Sequence, residues 1–429
     1  MSARGGLWGH ADFMRLWAAQ AISAFGARIT RTALPIIAVK TLGEPESLIA
    51  LLVVLQMAPQ MVVALVAGGF VDRGRKRRIM IAMDLFRAGV VASLSIAWAA
   101  GLLALPQVIA VGVLVAAASS LFMITDVAYL PHLVGRKQVA EGNAKLETTE
   151  AVAEITGPAS AGVLIAALGA PLAVIVNTAS YVWSAVMLGR IQTIEVPAEQ
   201  PEASSSTWQT TKDLRIGMRA VLGHPQVRPL VLSYMVWSAA GGFFAALYTL
   251  LCLRTLGLSE ATFGVIIAMG GVGSLLGAMI ARPLARAIGV GRTVIVASAL
   301  STLAGLFMAS APYVTSYALV LVFLGAHQLL SDGLMVVYMV HAVTLRQTVL
   351  PKHVLGRANA AVQVLSTGAL LVATGVAGVL AQLTSIRFAM WIGVLVGLAV
   401  PLFLLPLRRL SVVPQPDASS PNIPRPDSP

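Results

Sequence analysis

Long apolar runs alternate with short polar loops along almost the whole chain. A membrane-spanning helix needs about 20 apolar residues, and runs on that scale recur throughout the sequence. The pattern predicts an all-α membrane protein with twelve transmembrane helices. We place the spans at 13–39, 47–70, 79–102, 107–130, 145–168, 171–191, 229–253, 260–281, 292–312, 315–341, 358–383 and 388–407.

The longest polar interruption, 192–227, separates two sets of six spans. It contains prolines and a run of serines, and it becomes amphipathic from Trp208 to Leu222, where its cations can face lipid headgroups. The tail is rich in Pro, Ser and Asp, which predicts disorder. We therefore predict four units: an N-terminal six-helix bundle at 1–191, a cytoplasmic linker with an amphipathic helix at 192–227, a C-terminal six-helix bundle at 228–409 and a disordered tail at 410–429.

Two sequence matches suggest that the six-helix bundles are repeats. Gly68-x-x-x-Asp72-Arg73 closes the second span, and Gly277-x-x-x-Ala281-Arg282 closes the eighth. The segment 143–164 in the fifth span and the segment 359–380 in the eleventh share Asn-Ala and Ala-Gly-Val-Leu at identical spacing. We expect two pseudo-symmetric bundles related by an axis along the membrane normal.

Composition and charge support a membrane protein with one cationic side. Hydrophobic residues make up 57% of the chain and charged residues only 11%, against about 25% charged residues in soluble domains. The net charge of +12 does not indicate a nucleic-acid partner, because the cations cluster in alternate loops, which places both termini in the cytoplasm. The first run is too long for a cleavable signal and is expected to stay as a span. Six of the 30 Lys and Arg residues lie outside the cationic loops. They are Arg28, Arg31, Lys40, Arg87, Arg254 and Arg387.

The sequence lacks the motifs of enzymes and ATP-driven pumps. Cys252 is the single cysteine and lies in a predicted span, so neither a disulfide nor a cysteine-ligated metal site is expected. The chain has no Gly-x-x-x-x-Gly-Lys-Ser/Thr loop and no Gly-x-Ser-x-Gly elbow. We expect no catalytic residue, no bound metal and no cofactor.

The loop at 68–78 joins the second and third spans and is strongly cationic. Its cations resist passage through hydrocarbon, which places the loop in the cytoplasm. The carboxylate of Asp72 can bind the free N–H groups that begin a neighbouring helix. The alternative role of the cations at 75–78 is only to set topology and to contact anionic lipid.

This loop resembles the signature Gly-x-x-x-Asp-Arg-x-Gly-Arg-Arg/Lys of the major facilitator superfamily, from which it departs at Arg75. The segments 13–17, 84–88 and 157–162 look like the drug and siderophore exporter branch, which includes enterobactin exporters and macrolide efflux proteins. The resemblance implies the major facilitator fold, with two six-helix bundles that rock about a central cavity. It also implies a conformational latch in which Asp72 caps the eleventh span. The residues of this signature are Gly68, Asp72, Arg73, Lys76 and Arg77.

A charged group and a glycine–proline pattern stand out inside the first bundle. Asp84 and Arg87 are one turn apart on the third span and are predicted to pair, and Asp126 on the fourth span is expected to join them. The fifth span contains Gly157, Pro158 and Gly162, where proline bends the helix and glycine permits close packing. In the family this pattern marks antiporters, and we expect it to face the glycines of 270–277 on the eighth span.

Charges at membrane depth form the strongest candidate site. Arg28 and Arg31 lie one turn apart on the first span and share a face. Glu147, Glu150 and Glu154 share a face of the fifth span, and Glu154 lies at about the depth of Arg28. Such charges need partners or a water-filled cavity. A structural ion pair and a proton-coupling or anion-binding cluster are both open, and they are compatible if a proton breaks the pair.

The tenth span carries a second polar group, formed by His327, Gln328 and Asp332. Asp332 lies in an otherwise uncharged stretch and can exchange protons in a cavity, and His327 can also titrate. A helix–helix hydrogen bond is the alternative role for Asp332.

Together these features predict a secondary active transporter in the inner (plasma) membrane of a bacterial cell. We expect a monomeric, proton-coupled exporter of small amphipathic molecules of drug or siderophore type, with an anionic or zwitterionic substrate favoured by the arginines. Lysophospholipid transport or uptake is the alternative within transport. A membrane sensor or scaffold that moves nothing is the alternative from another class.

Overall fold

The computed structural model describes residues 6–135, 137–193, 195, 207–408 and 410 of the chain. Nearly all of these residues are helical. The helices are α1 (Ala11–Ile36), α2 (Glu46–Arg73), α3 (Lys76–Ala99), α4 (Leu105–Val134), α5 (Val139–Leu168), α6 (Ala170–Gly189), α7 (Thr207–Gly223), α8 (Val227–Leu250), α9 (Glu260–Ile288), α10 (Val290–Ser310), α11 (Tyr317–Val349), α12 (Lys352–Leu383), α13 (Ile386–Leu398) and α14 (Val400–Leu404).

Eleven helical segments of the described part are long and apolar enough to cross a membrane. The predicted second span corresponds to α2, whose first part, Glu46–Gln60, is a shorter apolar helix. Backbone polar groups in lipid must be satisfied within the segment, and this forces apolar runs of such length into helices. The all-α membrane fold is therefore confirmed. The number of twelve spans and the cytoplasmic position of both termini remain predictions.

Two halves with matching internal contacts make up the molecule. In the first half α1 packs against α5 and α6, α2 against α4, and α3 against α4 and α6. In the second half α8 packs against α12 and α13, α9 against α11, and α10 against α11. The largest contacts between the halves are those of α5 with α9 and of α2 with α12, and α2 also packs against α8.

One of the two repeat matches is out of register. The helices α2 and α9 begin at Glu46 and Glu260, so equivalent residues in this part of the halves are 214 positions apart. Gly68 and Gly277 are closer in sequence than that, and their match is a coincidence of two helices rich in small residues. The second match holds, because the segments 143–164 and 359–380 lie in α5 and α12.

The two ends of the bundle differ in how the halves meet. Because the spans alternate in direction, residues 6 and 410 lie at one end, which we call the terminal end; the other is the distal end. One buried apolar cluster at the distal end contains residues from both halves, among them Ile37, Ile49 and Leu251. At the terminal end of the described part, each half has apolar clusters of its own. The halves are thus packed together distally and have separate cores at the terminal end.

The helix α7 lies at the terminal end and matches the amphipathic helix predicted at 208–222 within one residue at each end. It packs against α8 and α12 of the second half. Arg357 of α12 makes an ion pair with Asp213 of α7 at 2.8 Å. This helix is therefore docked on protein.

Candidate functional site

Arg28 on α1 lies between two glutamates of α5. Its Nη2 makes ion pairs with Glu150 and, at 2.5 Å, with Oε2 of Glu154. The arginine side chain is 14% exposed, whereas each glutamate side chain is 52% exposed. The guanidinium is thus held by two carboxylates that both remain open to solvent or ligand.

Arg31 is the accessible cation of the group. Its Nη1 lies 3.9 Å from Oε1 of Glu154, and its side chain is 69% exposed. Arg28 is engaged by two carboxylates. Of the two arginines, Arg31 is therefore bound less firmly by other side chains of the protein.

Gly157 of α5 provides the seat for Arg28. A Cβ atom at this position would lie 2.7 Å from Cγ and 2.9 Å from Cβ of Arg28. Real Cβ atoms do not approach other atoms so closely, so only glycine lets the arginine stem lie flat on α5. The glycine of the predicted kink therefore has a packing role that places the guanidinium beside Glu154.

Asp332 on α11 faces this group from the second half. Its carboxylate lies on Gly270 of α9, where a Cβ atom would clash with it, and the amide of Gln328 lies beside the same glycine. The next glycine of α9, Gly271, lies on Ile155, the residue after Glu154, so α9 brings Asp332 close to the charged group. Among the described residues, no ion pair engages Asp332.

The glycines of α9 do not face α5 as a group. The contacts of Gly270, Gly273 and Gly277 are with α11, at Asp332, Leu329 and Gly333 respectively. Only Gly271, against Ile155, lies on α5 from this stretch. The close contact expected for the fifth span instead joins Gly162 to Gly264. Gly264 lies more than one turn nearer the distal end of α9 than the glycines at 270–277.

The comparisons with known proteins agree with this architecture. Residues 8–427 match the family described as transmembrane secretion effector. The chain belongs to that family of major facilitator transporters. No curated protein matches the sequence.

Several solved transporters share the fold. A bacterial homologue of the iron transporter ferroportin, in its inward-facing state, superposes with a TM-score of 0.73 at 16% identity, covering 93% of this chain and 98% of that one. The nucleoside transporter NupG gives a TM-score of 0.74 at 9% identity over 92% of this chain and 99% of its own. The outward-facing state of the ferroportin homologue gives 0.57 at 17% identity over 92% and 99%. The protein is thus a multi-pass membrane transporter of the major facilitator fold, and neither its family nor these neighbours are enzymes.

His327 lies apart from the open charges of this transporter. Its side chain is buried, its Nδ1 lies 3.1 Å from the carbonyl oxygen of Ala304, and its ring packs between those of Phe244 and Tyr248. Positions 327 and 332 lie on different faces of α11, since five residues span about one and a third turns. His327 and Asp332 therefore belong to separate environments.

Asp84 and Arg87 form a fully buried ion pair on α3. The guanidinium also donates to Ser119 at 3.0 Å and lies against the rings of Phe122 and Tyr181. Asp126, the expected third member of this network, makes its hydrogen bond with another helix.

Asp126 instead accepts a hydrogen bond from Gln20 of α1 at 2.5 Å. It therefore joins α4 to α1 rather than extending the α3 pair.

The signature loop is only partly described. Gly68, Asp72 and Arg73 lie outside the residues whose side chains the structure describes. Arg77 donates to the carbonyl oxygens of Leu188 and Gly189 at 2.8 and 2.5 Å, and so caps the end of α6. Lys76 is buried in the first turn of α3.

Two features of the site region were not predicted from the sequence. These are the seat that Gly157 provides for Arg28 and the ion pairs of Lys40 and Arg254, which stood out only as cations outside the cytoplasmic loops. Lys40 and Arg254 each pair with a glutamate of the opposite half. The sequence does contain a sign of this arrangement, because in each half a cation stands six residues before a glutamate. Within the described part, no group of three or more His, Cys, Asp or Glu residues comes together to hold a metal.

Proposed function

We propose that this transporter is a proton-coupled exporter of small amphipathic molecules, of drug or siderophore type, in the inner membrane of a bacterial cell. It works by alternating access as a monomer, with 1–191 and 228–409 rocking about the charged group and the linker 192–227 joining them. The observation that carries the proposal is that Glu154 from the first half and Asp332 from the second flank neighbouring positions of α9, since Gly270 lies on Asp332 and Gly271 lies on Ile155. A change in the charge of either carboxylate alters the interaction between the halves.

The same two carboxylates supply a physical basis for antiport. A proton and a positively charged group of a substrate bind to carboxylates in competition, so that loading one releases the other. Of the five charged side chains in the group, three are acidic, namely Glu150, Glu154 and Asp332, and two are basic. We therefore favour amphipathic substrates that carry a positive charge, which moves our proposal away from the anionic substrate suggested by the arginines alone.

Arg31 supports uptake of an anionic molecule as a second candidate. An anion that displaces Glu154 from Arg31 is helped by protonation of that glutamate. Proton and anion then bind together, which gives symport. The two candidates thus differ in the charge of the substrate and in the direction of proton movement.

We assign the terminal end to the cytoplasm in both cases. The separate terminal cores of the halves suit a conformation open to that side, and the better superposition with the inward-facing ferroportin homologue supports the same orientation. The signature residues Gly68, Asp72 and Arg73 would then latch this end when it closes.

The experiment uses inside-out vesicles with an acidic lumen and a panel of cationic dyes, macrolides and catechol siderophores. Export by antiport alkalinises the lumen when a substrate is added outside. We expect a response to cationic members that Glu154→Gln and Asp332→Asn suppress. Glu147→Gln is the matched control, since Glu147 is exposed on the same helix face and has no ion pair among the described residues.

Three results would count against this proposal. Alkalinisation that requires an anionic compound loaded inside the vesicle would support symport in its place. A response to cations that survives in both carboxylate variants would remove the charged group from the mechanism. Silence of the wild-type protein across the panel, with binding retained, would leave lipid transport or a sensor function as the better explanation.

A further inference from the structure

The distal ends of α1 and α8 have the same local structure. Each helix continues as a five-residue π-helix, Ile37–Thr41 after α1 and Leu251–Thr255 after α8. In both, the next residue donates its amide to the first carbonyl oxygen of the π-helix at 2.9 Å. A glycine with positive φ follows, Gly43 at 68° and Gly257 at 65°. The two halves thus present the last turn of these spans in equivalent positions.

A basic residue of each π-helix reaches across to the other half. Nζ of Lys40 lies 2.7 Å from Oε1 of Glu260, the first residue of α9. Nη1 of Arg254 lies 3.1 Å from Oε1 of Glu46, the first residue of α2, and its Nη2 donates to the carbonyl oxygen of Glu44 at 2.7 Å. Lys40 and Arg254 are equivalent positions, as are Glu46 and Glu260, so the two ion pairs are reciprocal.

Close backbone contacts support each ion pair. Gly162 of α5 lies on Gly264 and the carbonyl oxygen of Glu260. Gly378 of α12 makes the equivalent contact with α2, since a Cβ at this position would lie 2.2 Å from Cβ of Ala50 and 3.3 Å from the carbonyl oxygen of Glu46. The start of α2 and the start of α9 are therefore each held from the side by a small residue of the opposite half.

We propose that Lys40–Glu260 and Arg254–Glu46 form a symmetric distal clasp that holds the distal end closed and parts as a unit when that end opens. The inference rests on the alternating access of the proposed function, but it does not depend on the substrate or on proton coupling. The four side chains are between 21% and 37% exposed. Partly exposed ion pairs are individually weak, so each pair favours the closed state by about two- to fivefold, and the clasp can open repeatedly.

The test measures the separation of the distal ends directly. Spin labels are placed at Leu102→Cys in the first half and Thr315→Cys in the second, both in exposed distal loops, in a Cys252→Ser background. Distance distributions are recorded by pulsed electron resonance on full-length protein in lipid nanodiscs, without substrate. A pair within one half, Leu102→Cys with Leu168→Cys, is the control for changes inside a half.

We expect Lys40→Glu to add a population with longer distances between the halves, because it places two negative charges together. The double variant Lys40→Glu with Glu260→Lys should return the distribution to that of the wild type. Arg254→Glu and its double variant with Glu46→Arg should behave in the same way, and breaking both pairs should shift the closed-to-open ratio further than breaking either one, to about tenfold.

The proposal is overturned if the single charge reversals leave the distances unchanged, or if the paired reversals fail to restore them while the within-half control remains constant. A protein that shows the expected distances but moves no compound in vesicles would contradict the exporter proposal and leave the clasp intact.

Discussion

The stem of Arg28 on α1 lies flat against Gly157 on α5, less than one turn from the Glu154 carboxylate that its guanidinium binds. Because Gly157 has no side chain, Arg28 of α1 can approach α5 closely enough for its guanidinium to reach Glu154. The glycine of a pattern associated with helix bending is thus also part of an ion-pair site.

Gly157→Ala is expected to displace Arg28, because the added Cβ would lie within 2.9 Å of the arginine stem. Overpacking of this kind typically costs about 1–3 kcal/mol, so thermal unfolding in detergent should begin at a lower temperature. Proton-driven transport should fall with it. Gly375→Ala is the matched control, since it lies within α12 and its Cβ would meet open space. Equal behaviour of the two variants would show that Gly157 has no special role.

Glu154 is predicted to be the glutamate of α5 on which coupling to the proton gradient depends, because it faces both Arg28 and Arg31. Glu154→Gln keeps the size of the side chain and leaves Arg28 bound to Glu150, but it removes the carboxylate that faces both arginines. We expect the variant to bind substrate and to lose the dependence of transport on the proton gradient. The measurement is substrate movement in vesicles with and without an imposed gradient; full gradient dependence in this variant would contradict the assignment.

Sequence alone was a sound guide to the spans and to the faces of single helices. Lipid forces long apolar runs to be helical, and the amphipathic stretch at 208–222 was found almost where α7 lies. The meeting of Arg28 with Glu154 was expected from depth and helix periodicity. Which arginine takes the close position was not, because that choice depends on Gly157 of another helix.

Contacts between non-neighbouring helices set the limit of the sequence analysis. His327 was grouped with Asp332 because the two are close in sequence, yet aromatic residues of α8 and a carbonyl of α10 enclose the histidine. The distal clasp was hidden for the same reason. Nothing in a single sequence states that the start of α9 faces the end of α1.

The buried pair of Asp84 and Arg87 is predicted to hold the first half together. Removing one partner leaves an unpaired charge among apolar groups, which costs about 3–5 kcal/mol. Asp84→Ala should therefore reduce thermal stability strongly and lower the amount of folded protein in the membrane. The measurement is thermal unfolding of purified protein, followed by fluorescence.

A double variant provides the control for that experiment. Asp84→Leu with Arg87→Met replaces the pair by apolar side chains of similar length, and such replacements are often tolerated. We expect it to be more stable than Asp84→Ala. If the double variant is the less stable of the two, the pair contributes more than charge compensation, and the contacts of Arg87 with Phe122 and Tyr181 become the better explanation.

The docking of α7 on α12 is predicted to depend on Gly217. The backbone of Arg357 occupies the space that a Cβ of Gly217 would need, with the carbonyl carbon at 2.6 Å. Gly217→Ala should weaken the docking by about 1–3 kcal/mol. Because the helix then separates more often from the second half, trypsin should cut faster after Arg215 and Arg219.

Gly223→Ala is the matched control for this change, since a Cβ at position 223 would meet nothing within 4 Å. The measurement is limited proteolysis of both variants and the wild type in nanodiscs of the same composition. It compares the initial rates at which trypsin cuts α7, the segment that joins the two halves. Unchanged rates in Gly217→Ala would mean that the ion pair of Asp213 with Arg357 and the apolar contacts around Val221 hold α7 without a close backbone approach. A faster rate in Gly217→Ala alone would show that α7 is part of the second half through this glycine, so that the linker moves with that half during transport.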